Sequence, residues 1–169
     1  MIDGEILSKA GQSPLHRVTL SLIAHWLVSL FGSLCVQRQD PIHIPGELGL
    51  YTEPEPDIAV TFEPTTAYLE AHPGPTDIVV VEEVSDTTID FDLTTKAMLY
   101  SSAGVREYWV ANIAGSRLIV HRGPSADGYL STVHYKSEQL VSLEGRPSDS
   151  AVVSTFFPGD QNTIGTKLE

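Results

Sequence analysis

Three side chains have the types and order needed for chemistry on a phosphate. Asp57 follows Pro56 at the head of an extended segment, Glu82 ends an apolar β-branched run, and Lys96 lies on the amphipathic segment after it. Two carboxylates from adjacent strands can hold a hard divalent cation such as Mg²⁺, which keeps several waters and accepts a phosphate oxygen. Such a cation lowers the pKa of a bound water and neutralises charge during in-line attack. A nearby ammonium can orient that water or stabilise the pentacovalent phosphate. The same residues also fit a structural reading, with Asp57 as a turn acid and Glu82 paired to Lys96, and spacing alone does not choose.

The elements that must position these groups are legible around residues 77–110. Ile78 to Val81 form an unbroken β-branched run, which suits a central strand covered on both faces. Glu82 and Glu83 then point to opposite faces, so one of them is expected in buried surroundings. Over residues 92–103 a 3.6-residue period puts Leu93, Ala97, Tyr100 and Ala103 on one stripe, with Lys96 on the same stripe. An inward lysine needs a carboxylate or a stem that reaches solvent. Glu82 is the expected partner. Gly104 ends this helix as a left-handed residue with Val105 packing back, and 106–110 begins the next strand.

Elsewhere, Ser13-Pro14 is a helix opening, with serine as N-cap and proline at the first helical position. The helix it opens, residues 14–31, is assigned an apolar stripe of Leu15, Val18, Leu22, Trp26 and Leu30, with His16 and Arg17 falling away from it. A short strand is expected over 4–9, an extended segment over 34–44, a strand over 57–62, hairpin strands over 117–121 and 129–135, and a last strand over 152–157. Residues 1–158 form the expected single domain and 159–169 a C-terminal tail.

At 169 residues the chain suits one core. A single cysteine, Cys35, excludes an internal disulfide framework and fits a reducing cytoplasm. No apolar run approaches a membrane span. The net charge of −12, with scattered bases, weighs against nonspecific binding to a phosphate backbone. Six histidines without HxH or HExxH spacing give zinc little support. No GxSxG, GxxxxGK[ST] or GxGxxG occurs, which removes the commonest signals for hydrolase triads and nucleotide cofactors.

Several segments together resemble the Uma family (Uma-two type) of restriction-endonuclease-like proteins in the PD-(D/E)XK nuclease superfamily. They are Ile2-Asp3-Gly4-Glu5, Ser13-Pro14-Leu15-His16, Pro56-Asp57, Val80-Val81-Glu82-Glu83-Val84-Ser85, Lys96, Tyr100, Gly104-Val105 and Glu107-Tyr108-Trp109. The resemblance implies an α/β fold with a restriction-endonuclease-like core, a mixed central β-sheet flanked by α-helices. It implies Asp57 and Glu82 as acids for Mg²⁺ or Mn²⁺ and Lys96 as catalytic lysine. The superfamily's usual lysine position, two residues after the acid, is Val84 here, so Lys96 matches the migrated form. Glu83 departs from a generally apolar position and Asp86 from a frequent proline, and Glu83 is an accessory candidate ligand. Glu5 and His16 are accessory candidates at the mouth of the site, each with the simpler reading of a strand-end acid and a first-turn histidine. The expected function is Mg²⁺-dependent endonucleolytic hydrolysis of nucleic acid. The alternative is a catalytically silent interaction or regulatory module whose acidic surface meets a protein. Aromatics of the C-terminal meander (Trp109, Tyr129, Tyr135, Phe156, Phe157) motivate an expected homodimer.

Overall fold

A computed structural model describes residues 12–159. The chain runs α1 (Pro14–Phe31), β1 (Val36–Gln37), β2 (Ile58–Thr61), β3 (Ile78–Ser85) and α2 (Ile89–Phe91). A π-helical turn (Asp92–Lys96) leads into α3 (Ala97–Ala103), followed by β4 (Glu107–Asn112), β5 (Arg117–Arg122), β6 (Ser131–Tyr135), β7 (Leu140–Ser142) and β8 (Ser150–Val152). Six strands form one sheet in the order β1-β2-β3-β4-β5-β6, and β7 pairs with β8 separately. Among the described residues only the β3–β4 pairing is parallel, as a strand–helix–strand crossover requires. The expected mixed sheet with a central β3 is therefore present.

Each face of the sheet carries its own core. On one, Leu20, Ile23, Ala24 and Leu27 of α1 pack against Ile58, Val60, Val80, Val84 and Trp109. On the other, Ala97, Leu99 and Tyr100 of α3 pack against Ala59, Val81, Tyr108, Val110 and Ile119. With helices on both faces, β3 is covered on both sides, which is why its sequence does not alternate with polar residues.

The helix signals hold locally. The Ser13 side chain accepts from the His16 amide at 3.1 Å, and Pro14 opens α1. Gly104 sits at φ 90°, and the Val105 amide donates to the Tyr100 carbonyl at 2.9 Å. The α1 face differs from expectation in part: Trp26 and Leu30 pack against the first core as expected, but Leu15 and Val18 are exposed, and the buried positions are Thr19, Leu20, Ile23, Ala24 and Leu27. Opposite the exposed polar row of Arg17, Ser21, His25 and Ser29, the apolar residues of this helix cover a face wider than one stripe, so a wheel alone cannot choose its innermost line. The α3 stripe is as expected, with Leu93 and Ala103 partly buried against the second core.

Other differences are local. The last segment is a short strand followed by a 3₁₀ turn (Val153–Phe156) rather than a strand over 152–157, and β7 falls in a stretch for which no element is expected from the sequence. The aromatics that motivated the homodimer are largely internal: Trp109, Phe156 and Phe157 are buried, and Tyr129 and Tyr135 pack against the two cores. They leave little aromatic surface for a second copy. The expected 4–9 strand and Glu5 lie outside the described residues, as does most of the expected tail.

Candidate active site

The C-terminal end of β3 collects the chemistry. In the antiparallel β2–β3 register Ile58 faces Glu82, so one residue further Asp57 stands across from Glu83. Asp57 is buried; its Oδ2 accepts from the Val84 amide at 2.9 Å and lies 3.1 Å from His16 Nε2. His16 therefore does not fall away from the sheet. It is the first-turn residue of α1 that reaches the site.

Lys96 pairs with Glu83, not with Glu82. Its Nζ is 2.9 Å from Glu83 Oε2 and 3.1 Å from Asp92 Oδ1. The alternation of side chains along a strand decides the matter. Glu82 registers with Ile58 and Trp109 on the α1 face, whereas Glu83 registers with Val110 and meets Tyr100 of α3. Lys96 rides the π-helical turn on the α3 side, so only the odd-numbered acid is within its reach. Of the two glutamates, both are buried, where sequence reasoning expected one.

Their environments differ. Burial lifts the Glu82 carboxyl well above the ordinary carboxylate range, and the charges of Asp57 and Glu83 add to the rise. Neither Glu82 oxygen has a hydrogen-bond partner among the described residues. Burial pushes Glu83 up to about 7, against the opposing pull of Lys96. Burial works to lower the Lys96 ammonium, but Glu83 and then Asp92 outweigh it and hold its pKa above the ordinary value. At neutral pH Lys96 is charged.

Sequence reasoning missed Asp92, although its spacing was a usable signal: Asp92, Lys96 and Tyr100 follow one another at intervals of four. Asp92 accepts from Thr88 Oγ1 at 2.6 Å, and Tyr100 donates its hydroxyl to Glu83 Oε1 at 3.0 Å.

The site suits a hard cation by its donors. The charges of Asp57 and Asp92 reach Glu82 and Glu83 and add to the rise of those two carboxyls, and among the described residues one ammonium, Lys96, pairs with this group. A buried carboxylate without a hydrogen-bond donor is the kind of group a cation satisfies. No set of three His, Cys, Asp or Glu side chains converges as a ready-made cage among the described residues. Mg²⁺ does not need one, because it is commonly held by one or two carboxylates with waters and substrate phosphate completing the shell. No helix among the described residues is long and apolar enough to cross a membrane.

A mixed sheet with a helix on each face, and acids from two adjacent strands gathered with a helical lysine at its end, define a restriction-endonuclease-like α/β protein. The chain belongs to the Uma2 family, described as "putative restriction endonuclease", whose sequence model matches residues 1–153. Its fold is similar to a crystal structure described as "a putative nuclease belonging to DUF820" from Anabaena variabilis ATCC 29413. That similarity has a TM-score of 0.68 and 14% identity, over 92% of this chain and 87% of that one. Among curated proteins none matches.

Proposed function

We propose that the protein is a metal-dependent nuclease that cleaves phosphodiester bonds within nucleic acid, using Mg²⁺ or Mn²⁺. The observation that carries this reading is the gathering of Asp57, Glu83 and Lys96 at the end of β3 in a member of this family. When bound, the cation supplies a water of lowered pKa and neutralises charge on the phosphate. Asp57 and Glu83, from adjacent strands, hold it. Lys96 keeps an ammonium beside them to stabilise charge that builds on the phosphate oxygens. His16 orients Asp57 through its 3.1 Å contact. Glu82, the acid named from the family pattern, is the alternative ligand, and its unbonded oxygens support that assignment. The register opposite Asp57 and the contact with Lys96 favour Glu83. A homodimer, which would set one site against each strand of a duplex, rests on β6, the edge strand of the sheet among the described residues, rather than on aromatics.

The test is cleavage of plasmid and single-stranded substrates with Mg²⁺, with Mn²⁺ and with chelator, beside calorimetric titration of Mn²⁺. Cleavage is expected only with metal. Asp57→Asn and Glu83→Gln should weaken metal binding, because a neutral amide is a poorer ligand for a hard cation. Lys96→Met should keep metal binding and lose cleavage. If Glu82→Gln weakens binding and Glu83→Gln does not, the ligand is Glu82. No binding at millimolar metal and no cleavage would leave the acidic interaction module as the function.

A further inference from the structure

We propose that Asp92, Tyr100 and Tyr108 are positioning residues that hold Lys96 and Glu83 in their working geometry, with the π-helical turn as the device that aligns them; this rests on the nuclease reading above. Each of the two carboxylates around Lys96 accepts from a hydroxyl on one oxygen and is ion-paired to the ammonium through the other, Asp92 Oδ1 by charge without a hydrogen bond. Asp92 gives Oδ2 to the Thr88 hydroxyl at 2.6 Å and turns Oδ1 to the ammonium at 3.1 Å. Glu83 gives Oε1 to the Tyr100 hydroxyl at 3.0 Å and turns Oε2 to the ammonium at 2.9 Å. Each carboxylate thus spends one oxygen on a hydroxyl and the other on Lys96, so neither is free to rotate. The lysine, otherwise a point charge on a flexible four-carbon stem, is held from two sides.

The backbone is fastened too. In a regular α-helix the carbonyl of Asp92 would accept from the amide four residues on; a π turn shifts that pattern to five. The Tyr108 hydroxyl of β4 donates to this carbonyl at 3.0 Å, tying the widened turn to the sheet. Tyr100 and Tyr108 pack with ring centroids 4.9 Å apart, so the two hydroxyls that fix the site share one aromatic support. Asp92, Glu83, Tyr100 and Tyr108 are all buried, while Lys96 keeps 16% of its side chain exposed toward solvent. Apolar residues of similar volume commonly stabilise a core at least as well as a buried ionic network. The network is therefore read as serving geometry.

The experiment uses the full chain and the variants Asp92→Asn, Tyr100→Phe and Tyr108→Phe, with the exposed Ser102→Ala as control. Two readouts are taken: steady-state cleavage with Mn²⁺, and the mobility of the Lys96 ammonium by ¹⁵N relaxation on lysine-labelled protein. Each of the three variants should lower kcat by roughly 10–100-fold while KM and Mn²⁺ affinity hold, as expected when a supporting contact is lost. Each should also release the Lys96 ammonium from its restrained state. An ammonium that stays restrained in Asp92→Asn and in both tyrosine variants overturns the proposal, as does a kcat equal to that of the control. A wild type that never cleaves, yet shows Lys96 freed in the variants, overturns the nuclease reading and upholds the clamp.

Discussion

Glu83 makes a quantitative prediction about pH. Its folded-state pKa of about 7 lies above the ordinary 4.5 because burial raises it more than Lys96 lowers it. The folded protein therefore binds more protons than the unfolded chain between these values. The contribution is fully present below pH 4.5 and is lost as pH rises through 7. At about 1.4 kcal/mol per pKa unit, the loss across the window is about 3 kcal/mol. Glu82, also raised, acts in the same direction, and His121, lowered to about 4, acts in the opposite one, so the wild-type profile alone is a composite. The informative quantity is the gap between wild type and Glu83→Gln, since glutamine mimics the protonated acid and its carbonyl can still accept from Tyr100. In urea unfolding with chelator present, Glu83→Gln should gain about 3 kcal/mol on wild type between pH 4 and pH 8. Added Mn²⁺ should stabilise wild type more at pH 8 than at pH 5, because the ligand must be ionised. A gap that changes by less than about 1 kcal/mol across that range would show that Glu83 is not the buried, costly acid described.

Three further outcomes test the fold. His121, stacked 5.5 Å from Tyr108 and in contact with Thr132 Oγ1 through Nδ1, is lowered from 6.5 to about 4 by burial and then by His134. Its contribution is complete above pH 6.5 and is lost as pH falls through 4; a histidine proton NMR titration that finds a midpoint near 6.5 would refute it. Leu27→Ala, on the buried face of α1, should cost 2–5 kcal/mol, while exposed Leu15→Ala should stay within about 0.5; equal effects on the denaturation midpoint would mean that the face is misassigned. The buried Glu107 carboxylate takes Arg122 Nε and Nη2 and Trp109 Nε1 on one oxygen and the Glu144 amide on the other. Glu107→Ala should therefore cost about 3–5 kcal/mol in urea unfolding, because it leaves a partly buried guanidinium unpaired.

The parts legible in the sequence are those where local chemistry and global packing agree. Ser13-Pro14 and Gly104 mark helix ends because the backbone itself needs a cap or a left-handed residue there, whatever the fold. The apolar run of β3 identified a strand covered on both faces. Sequence reasoning failed where the answer depended on which face of an element meets its neighbour. In α1, Leu15, Val18, Leu22, Trp26 and Leu30 compete with Leu20, Ile23 and Leu27 for the inward position, and only the docked sheet decides. The same ambiguity exchanged Glu82 for Glu83 as partner of Lys96. Alternation said that the two differ in face, but not which face the 89–103 segment would cover. Asp92 was overlooked because it opens a helical segment, where an acid is ordinary on dipole grounds alone.

The distribution of charge adds a constraint on how such a site could meet a polyanion. Thirteen of the twenty-two acids lie between residues 39 and 95, a stretch with no lysine or arginine, and Asp57, Glu82, Glu83 and Asp92 are among them. Lys96, the first base after this run, is turned inward onto Glu83 and Asp92. A phosphate approaching the end of β3 therefore meets carboxylates first, and at close range like charges repel by several kcal/mol once water is excluded. A divalent cation held by Asp57 and Glu83 would invert that local field, as bound ions commonly do. On this reasoning metal acts in binding as well as in chemistry. The Lys96→Met variant, which should retain metal and not cleave, separates the two: its affinity for a short duplex should rise on adding Mg²⁺ at constant ionic strength. Equal affinity with and without Mg²⁺ would mean that the phosphate reaches the protein through a surface other than this acidic one.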